Sequence, residues 1–189
     1  MFRDLIEEYE ISLYELSKKA NVPYSTLSNI KLEKTDARKI SSDTLYRLSK
    51  YLNISMEKLY LKMNAPKRME FELFKSEARH ELKRKGDTSY ILYLLEEDII
   101  SIYWELDWQA ESLYLLAMLD YLSKRHNTPI CNKYDYYRTQ KLANILYPKD
   151  ILLMDKSNPD RNIKEEVLKI CNPEFLKYNI VEVDLTDVV

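Results

Sequence analysis

Glycine is almost absent: the 189 residues contain one, Gly86. A Walker-type phosphate loop needs a pair of glycines, a dinucleotide-binding turn needs three and a nucleophile elbow two, because the backbone must pass close to a phosphate or turn sharply under the reacting serine. All three classes are excluded. Cysteine and histidine are equally scarce, two of each: Cys131, Cys171, His80 and His126. No spacing among them matches a zinc-ligand pattern, and His80-Glu81 lacks the second histidine of a zinc-protease helix because position 84 is Arg84. No metal, cofactor or catalytic residue is therefore expected, and the two thiols are expected to be free.

Long apolar runs are missing too. The longest uncharged stretch, Ala20 to Ile30, has eleven residues and includes Asn21, Pro23 and Ser25, against roughly 18 apolar residues for a membrane span. The opening Met-Phe-Arg-Asp-Leu-Ile-Glu-Glu is acidic where a secretory leader is basic and then apolar. The expectation is a cytoplasmic protein with no membrane association. Neither sign of charge dominates: 29 basic residues nearly offset 31 acidic ones, for a net charge of −2. Any surface for a polyanion must therefore be local.

What is present is material for helices. Hydrophobic residues make up 46% and charged residues 32% of the chain, and the apolar positions recur at helical spacing almost throughout. This predicts an all-α protein of one or two domains. The first break is Met63-Asn64-Ala65-Pro66-Lys67, where Pro66 biases Ala65 away from helical geometry. It divides the chain into an amino-terminal domain over 1–62, a linker over 63–67 and a second domain over 68–189. Charge separates the halves as well. From Ile11 to Lys50 there are eight basic residues (Lys18, Lys19, Lys31, Lys34, Arg38, Lys39, Arg47, Lys50) against four acidic ones, whereas Gly86 to Leu122 holds eight acidic residues and no Lys or Arg.

Between Ile11 and Ile30 the apolar positions define two short helices meeting at a tight corner. Ser12 caps the first, and Leu13, Leu16 and Ala20 form its inward stripe. Asn21 tolerates a left-handed corner where glycine is usual, Val22 plugs the angle, and Pro23 suits the start of the next helix. Leu27 and Ile30 turn inward, which leaves Tyr24, Ser25, Ser28 and Asn29 on the opposite face. This arrangement resembles the Cro and lambda-repressor-like helix-turn-helix family over roughly residues 1–62. The segment Ser42 to Ser55 is similar to the family's fourth helix and its turn, and Met56 to Tyr60 to its fifth. Departures are Asn21 for the turn glycine, Leu13 where a glutamine often reaches the operator, and Lys31 where an acidic residue is common.

The resemblance implies a five-helix domain that presents one helix to the major groove of double-stranded DNA. Short polar groups must then reach base edges while amines neutralise phosphates. The implied contacts are Tyr24, Ser25, Thr26, Ser28 and Asn29 for the bases, Lys31, Lys34 and Lys39 for the backbone, and Ser42, at a helix start, for a phosphate.

In the second half, Phe71, Phe74, Ala78 and Leu82 form the stripe of a helix ended by Gly86. Helices over Ser89–Glu97, Asp98–Leu106 and Trp108–Lys124 follow. The last is apolar almost all round, so either its own domain or a second copy must bury it. Glu96, Glu97 and Asp98 read either as paired acids and bases or as a helix junction. Tyr134 to Arg138 reads either as a ligand contact or as core packing. Asn172-Pro173 begins a short helix. Asn179 to Leu185 alternates like a strand, yet no obvious partner strand exists in the chain. It must pair with another chain segment, a second protomer or a partner protein, or else remain an acidic tail. The functional expectation is a sequence-specific transcriptional repressor, not an enzyme, acting as a homodimer on an inverted-repeat operator. The alternative is an antitoxin whose second domain covers a toxin through that carboxy-terminal segment while the first autoregulates the operon.

Overall fold

A helix that stops inside a folded unit leaves its last carbonyls without donors, and the left-handed residue that redirects the chain to satisfy them is usually glycine. With one glycine available, other residues take that conformation. A computed structural model of the chain describes residues 2–183. Among them Glu10, Asn21, Glu33, Asn53, Asp107, Asn127 and Asn179 have φ between 51° and 63°. After each, the next amide donates to a carbonyl five positions back: Ile54 N–H to Ser49 at 3.1 Å, Thr128 N–H to Ser123 at 2.9 Å, Trp108 N–H to Tyr103 at 2.9 Å. Asn and Asp tolerate this region better than other side chains; Glu10 and Glu33 lack that advantage. The glycine itself is used where nothing else fits, since Gly86 has φ 78° and ψ 157°, a region essentially closed to side chains.

The fold is all-α, in two units that divide between Arg68 and Met69. The first contains five helices: α1 (Phe2–Glu8), α2 (Leu13–Lys19), α3 (Tyr24–Lys31), α4 (Ser42–Leu52) and α5 (Met56–Asn64). Ser12, Ser41 and Ser55 cap α2, α4 and α5, each side chain accepting the amide of the residue three positions on. Pro23 stands one position before α3 as its cap residue, with ψ 133°, so the helix begins at Tyr24. Leu16, Ala20, Val22, Leu27, Ile30, Leu48 and Leu59 close the core with Phe2, Leu5 and Ile6 of α1. The connector expected from residue 63 begins later, because α5 runs to Asn64 and Met63 is only 4% exposed. Met63 lies one turn beyond Leu59 and extends the same inward stripe.

The second unit contains α6 (Phe71–Lys85), α7 (Asp87–Glu96), α8 (Ile99–Glu105), α9 (Gln109–Arg125), α10 (Asp135–Arg138), α11 (Lys149–Ser157), α12 (Ile163–Ile170) and α13 (Pro173–Leu176). Its axis is α9, along which every residue from Glu111 to Asp120 is at most 3% exposed. Its own unit supplies the cover, through α6, α7, α8 and α13. Burial on all sides also encloses polar groups, and each must be paired. Ser112 Oγ donates to the Ile100 carbonyl at 2.7 Å. The Asp120 carboxylate takes Arg138 Nη2 and Lys177 Nζ, both at 2.8 Å. Glu174, beside it, pairs with Lys124 and with Lys177. Arg138 and the fully buried Tyr134 thus belong to the core, and Tyr134 Oη donates to Asp98 at 3.0 Å.

Of the alternatives left open for the carboxy-terminal segment, pairing with another segment of the chain is the one found, as far as the described residues reach. Leu146 N–H donates to the Asn179 carbonyl at 2.8 Å and Val181 N–H to the Leu146 carbonyl at 2.9 Å, a single parallel bridge within the unit. The pairing residue is isolated in an irregular stretch, so no periodicity announces it. Glu182, assigned above to a partner-binding segment, is 6% exposed. It accepts a hydrogen bond from Tyr114 Oη at 3.2 Å and lies 3.5 Å from Lys75 and 3.7 Å from Arg79. Leu185 and the rest of that segment lie outside the described residues. No helix among the described residues is long and apolar enough to cross a membrane, and both cysteines are free thiols.

Two expectations about stability follow from this geometry. A Cβ at Gly86 would meet nothing within 4 Å, so Gly86→Ala should cost about 1–3 kcal/mol through backbone strain alone. Glu33→Gly should instead raise stability by up to about 1 kcal/mol by relieving a left-handed glutamate. Urea unfolding midpoints of both variants check this pair. Burial raises the Asp120 and Glu174 carboxyls, but their hydrogen bonds to Arg138, Lys124 and Lys177 outweigh it and hold both below the usual carboxylate range. Their contribution is therefore complete above the unfolded values of about 4 and is lost as the pH falls through the depressed folded values. Asp120→Asn should cost about 3 kcal/mol at neutral pH and flatten the acid limb of a stability-versus-pH curve.

Candidate nucleic-acid interface

The corner between α2 and α3 is locked from three sides. Asn21 supplies the left-handed turn, Ser17 Oγ donates to the Val22 carbonyl at 2.7 Å, and Arg47 of α4 donates to the Asn21 carbonyl at 3.2 Å. The same guanidinium holds Asp43 at 2.8 Å. Arg47 was counted above only as one basic residue among eight. Its i, i+4 spacing from Asp43 was the available signal that it braces the fold.

With Leu27 and Ile30 of α3 buried, the helix turns its other face outward: Tyr24, Ser25 and Asn29 are exposed, and Thr26 and Ser28 are half-buried. Tyr24, at 52% exposure, is the only large side chain in this set. A phenol can stack on or donate to a base edge, and the Asn29 amide can both donate and accept. The loop after α3 folds back on Asn29, whose carbonyl accepts from Lys34 N–H at 2.9 Å and Thr35 N–H at 3.2 Å. That places Lys34 beside the end of the reading helix.

The basic residues fall into two groups. Lys19 pairs with Glu15 and Arg38 with Asp36, each at 2.8 Å, and the Arg38 guanidinium holds the Asp36 carboxyl down at about 2. Lys31, Lys34 and Lys39 form no ion pair among the described residues. Amines not engaged with a carboxylate are the ones that can release counterions from a phosphate backbone. Ser42 is the first residue of α4, behind Ser41, which does the capping. What position 42 offers a phosphate is therefore its backbone amide at the positive end of the helix. Leu13 is half-buried against the core.

Sequence reasoning missed the exposed aromatics outside α3. Tyr14 is 66% and Tyr46 50% exposed, and Lys18 and Lys50 lie 5.7 and 5.6 Å from their ring centroids. Both pairs stand at i, i+4 on surface helices, a spacing visible in the sequence. Among the described residues no group of three or more His, Cys, Asp or Glu side chains is arranged to hold a metal ion.

Residues 1–60 match the family model of the Cro/C1-type HTH DNA-binding domain. The second unit has no family match, and no curated protein and no solved structure matches the chain. The amino-terminal unit is thus a Cro/C1-type helix-turn-helix domain, and the chain is a DNA-binding transcription regulator.

Base readout and phosphate neutralisation should separate by mutation. Replacing Tyr24 and Asn29 together by alanine should abolish preference for the cognate site and leave weaker, salt-sensitive binding. Lys34→Ala should weaken binding to all sequences alike and reduce the salt slope by about one. Competition footprinting over a salt series distinguishes the two; an unimpaired double mutant would reject the face assignment.

Proposed function

We propose that the chain is a transcriptional repressor that occupies an inverted-repeat operator as a homodimer. The observation that carries this reading is the α3 face: exposed Tyr24, Ser25 and Asn29 flanked by Lys31, Lys34 and Lys39, which form no ion pair among the described residues, in a Cro/C1-type domain. One short helix makes few base contacts, each worth about 1–3 kcal/mol of discrimination. Two-fold doubling is the usual way for so small a reader to gain specificity. Occlusion of a promoter needs no further activity, and the reading assigns the chain no catalysis.

The second unit offers a surface for that doubling. With α9 enclosed by its own unit, large apolar side chains are exposed at several places, including Leu73 on α6, Leu92 on α7 and Tyr136 on α10; the surface taken here is Leu153, 66% exposed, and Met154, 51% exposed, on α11 with Ile170, 65% exposed, on α12, which packs against α11. Such exposure on a soluble face marks an interaction surface. A second copy is the occupant assigned here. A protein partner on the same face would make the chain an antitoxin-like inhibitor, now without help from the buried Glu182.

Sedimentation of the full chain at tens of micromolar should give a dimer. Leu153→Lys with Ile170→Lys should shift it to monomer and weaken binding to the whole operator by more than about tenfold, with half-sites centred about one helical turn apart or a multiple of it. An unmodified chain that remains monomeric at high micromolar concentration would overturn the homodimer.

A further inference from the structure

The amino-terminal unit contains a cleft of about 780 Å³, bounded by the start of α1, the end of α3, the loop that follows it and the end of α5. Its volume lies within the roughly 300–1,000 Å³ typical of small-molecule sites. The described residues that line it all belong to that unit. The apolar part of the wall offers a ligand little surface, since Phe2, Ile30 and Met63 are at most 4% exposed. Among the described residues no exposed ring lines the cleft. What it presents is charge.

Those charges do not cancel. Five basic and two acidic side chains of the described residues line the cleft. Arg38 and Asp36 neutralise each other: the guanidinium reaches both carboxylate oxygens, with Nη2 donating at 2.8 Å and Nε at 3.0 and 3.1 Å. Arg3, Lys31, Lys34 and Lys39 are left against Glu33, and none of these five forms an ion pair among the described residues. Asp4 and Glu7, the carboxylates closest to Arg3 along α1, do not line the cleft. The carbonyl end of α5 opens on it and contributes only about half a negative charge. An excess of about two to three positive charges therefore remains in one concavity. Thr35, half-buried in the same wall, adds a hydroxyl that can donate. Such a cleft repels cations and gives a neutral ligand nothing charged to orient it.

We propose that this cleft binds a compact polyphosphate, an anion of two or more linked phosphoryl groups, and that its occupation excludes the operator. Each phosphoryl group carries about −1.5 to −2 charge near neutral pH, so one leaves part of the excess and two balance it. Arginine can take phosphate oxygens through two parallel N–H groups, and lysine serves as a point charge. Without an exposed ring to stack on, recognition rests on the phosphoryl groups themselves. Exclusion follows from shared amines. Lys31, Lys34 and Lys39 are the side chains assigned above to the operator backbone, and an amine committed to the ligand cannot also displace counterions from DNA. The exclusion rests on that assignment, while the binding does not. Arg3, on α1, stands outside the operator set and reports on the cleft alone.

Calorimetric titration of the full chain with inorganic pyrophosphate tests this, with orthophosphate and sulfate at matched ionic strength as comparisons. Pyrophosphate should bind saturably, one per chain, about tenfold more tightly than either comparison. Arg3→Ala should weaken it at least about fivefold, and Arg3→Glu further. Arg3 is exposed and α1 packs through Phe2, Leu5 and Ile6, so both variants should fold, and circular dichroism verifies it. At about ten times its Kd, pyrophosphate should raise the apparent operator Kd of the unmodified chain about tenfold beyond the sulfate control, and the same concentration should do less in Arg3→Ala. No saturable binding at millimolar pyrophosphate, equal affinity for the three anions, or affinity unchanged in Arg3→Ala would each overturn the site. Weaker operator binding by Arg3→Ala with no binding of pyrophosphate would seat an operator phosphate in the cleft in place of a free ligand. Arg3-dependent binding that leaves operator affinity unmoved would overturn the exclusion. The titration contains no DNA, so its failure leaves the operator assignment of the lysines standing, and operator binding by Lys34→Ala tests that assignment by itself.

Discussion

Every described helix except α6 must end without a glycine to end it, and both units are arranged around that constraint. A left-handed residue after the last turn returns the next amide to an earlier carbonyl, so the chain reverses without leaving a buried acceptor unsatisfied. Asn21 does this at the corner of the helix-turn-helix and Asn53 at the end of α4, where φ is 51° and 54°. Asp107 and Asn127 do it at either end of α9, where φ is 63° and 51°. The orientation of the reading helix, and the enclosure of α9, thus depend on side chains that accept a strained conformation at modest cost. Gly86 is kept for a backbone geometry that none of them can adopt.

Burying α9 on every side creates a second requirement, which charged residues meet. Asp120 and Glu182 are both nearly inaccessible, and each draws two basic side chains from other elements: Arg138 and Lys177 in one case, Lys75 and Arg79 in the other. A buried pair of this kind adds little net stability over an apolar replacement, but losing one partner is costly. The two carboxylates tie α10, α13 and the segment leading to Glu182 to α6 and α9.

Much of this was legible in the sequence. The stripe Leu16, Ala20, Leu27 and Ile30, the Ser12 cap and the Asn21 corner follow from helical period and turn chemistry, and together they place Tyr24, Ser25 and Asn29 outside. The ending of α6 at Gly86 and the start of α13 at Asn172-Pro173 follow the same local rules. What escaped was non-local. Leu146 pairs with the segment at Ile180 from within an irregular stretch, and nothing in the alternation of Ile180, Val181 and Val183 identifies that partner. Arg138 sits in an aromatic-polar run that could equally have faced solvent; only the fold brings Asp120 beneath it. Met63 was assigned to the connector because the polar residues around it hid its place in the stripe of α5. Local period and capping set the elements, while the pairing of buried charges depends on which elements meet.

The Glu182 clamp also bears on the order in which the chain acquires structure during synthesis. Lys75 and Arg79 lie near the beginning of the second unit and Glu182 near its end, so their ionic contact closes almost the whole unit as a loop. Until residues 175–182 have left the ribosome, α6 and α9 lack both that carboxylate and the apolar cover of Phe175 and Ile180. The amino-terminal unit is complete by residue 64 and can fold while the remainder is still being made. A chain interrupted shortly before residue 180 would thus carry a finished helix-turn-helix joined to an unclosed, sticky second half. It would be a target for chaperones and proteases, not a truncated regulator.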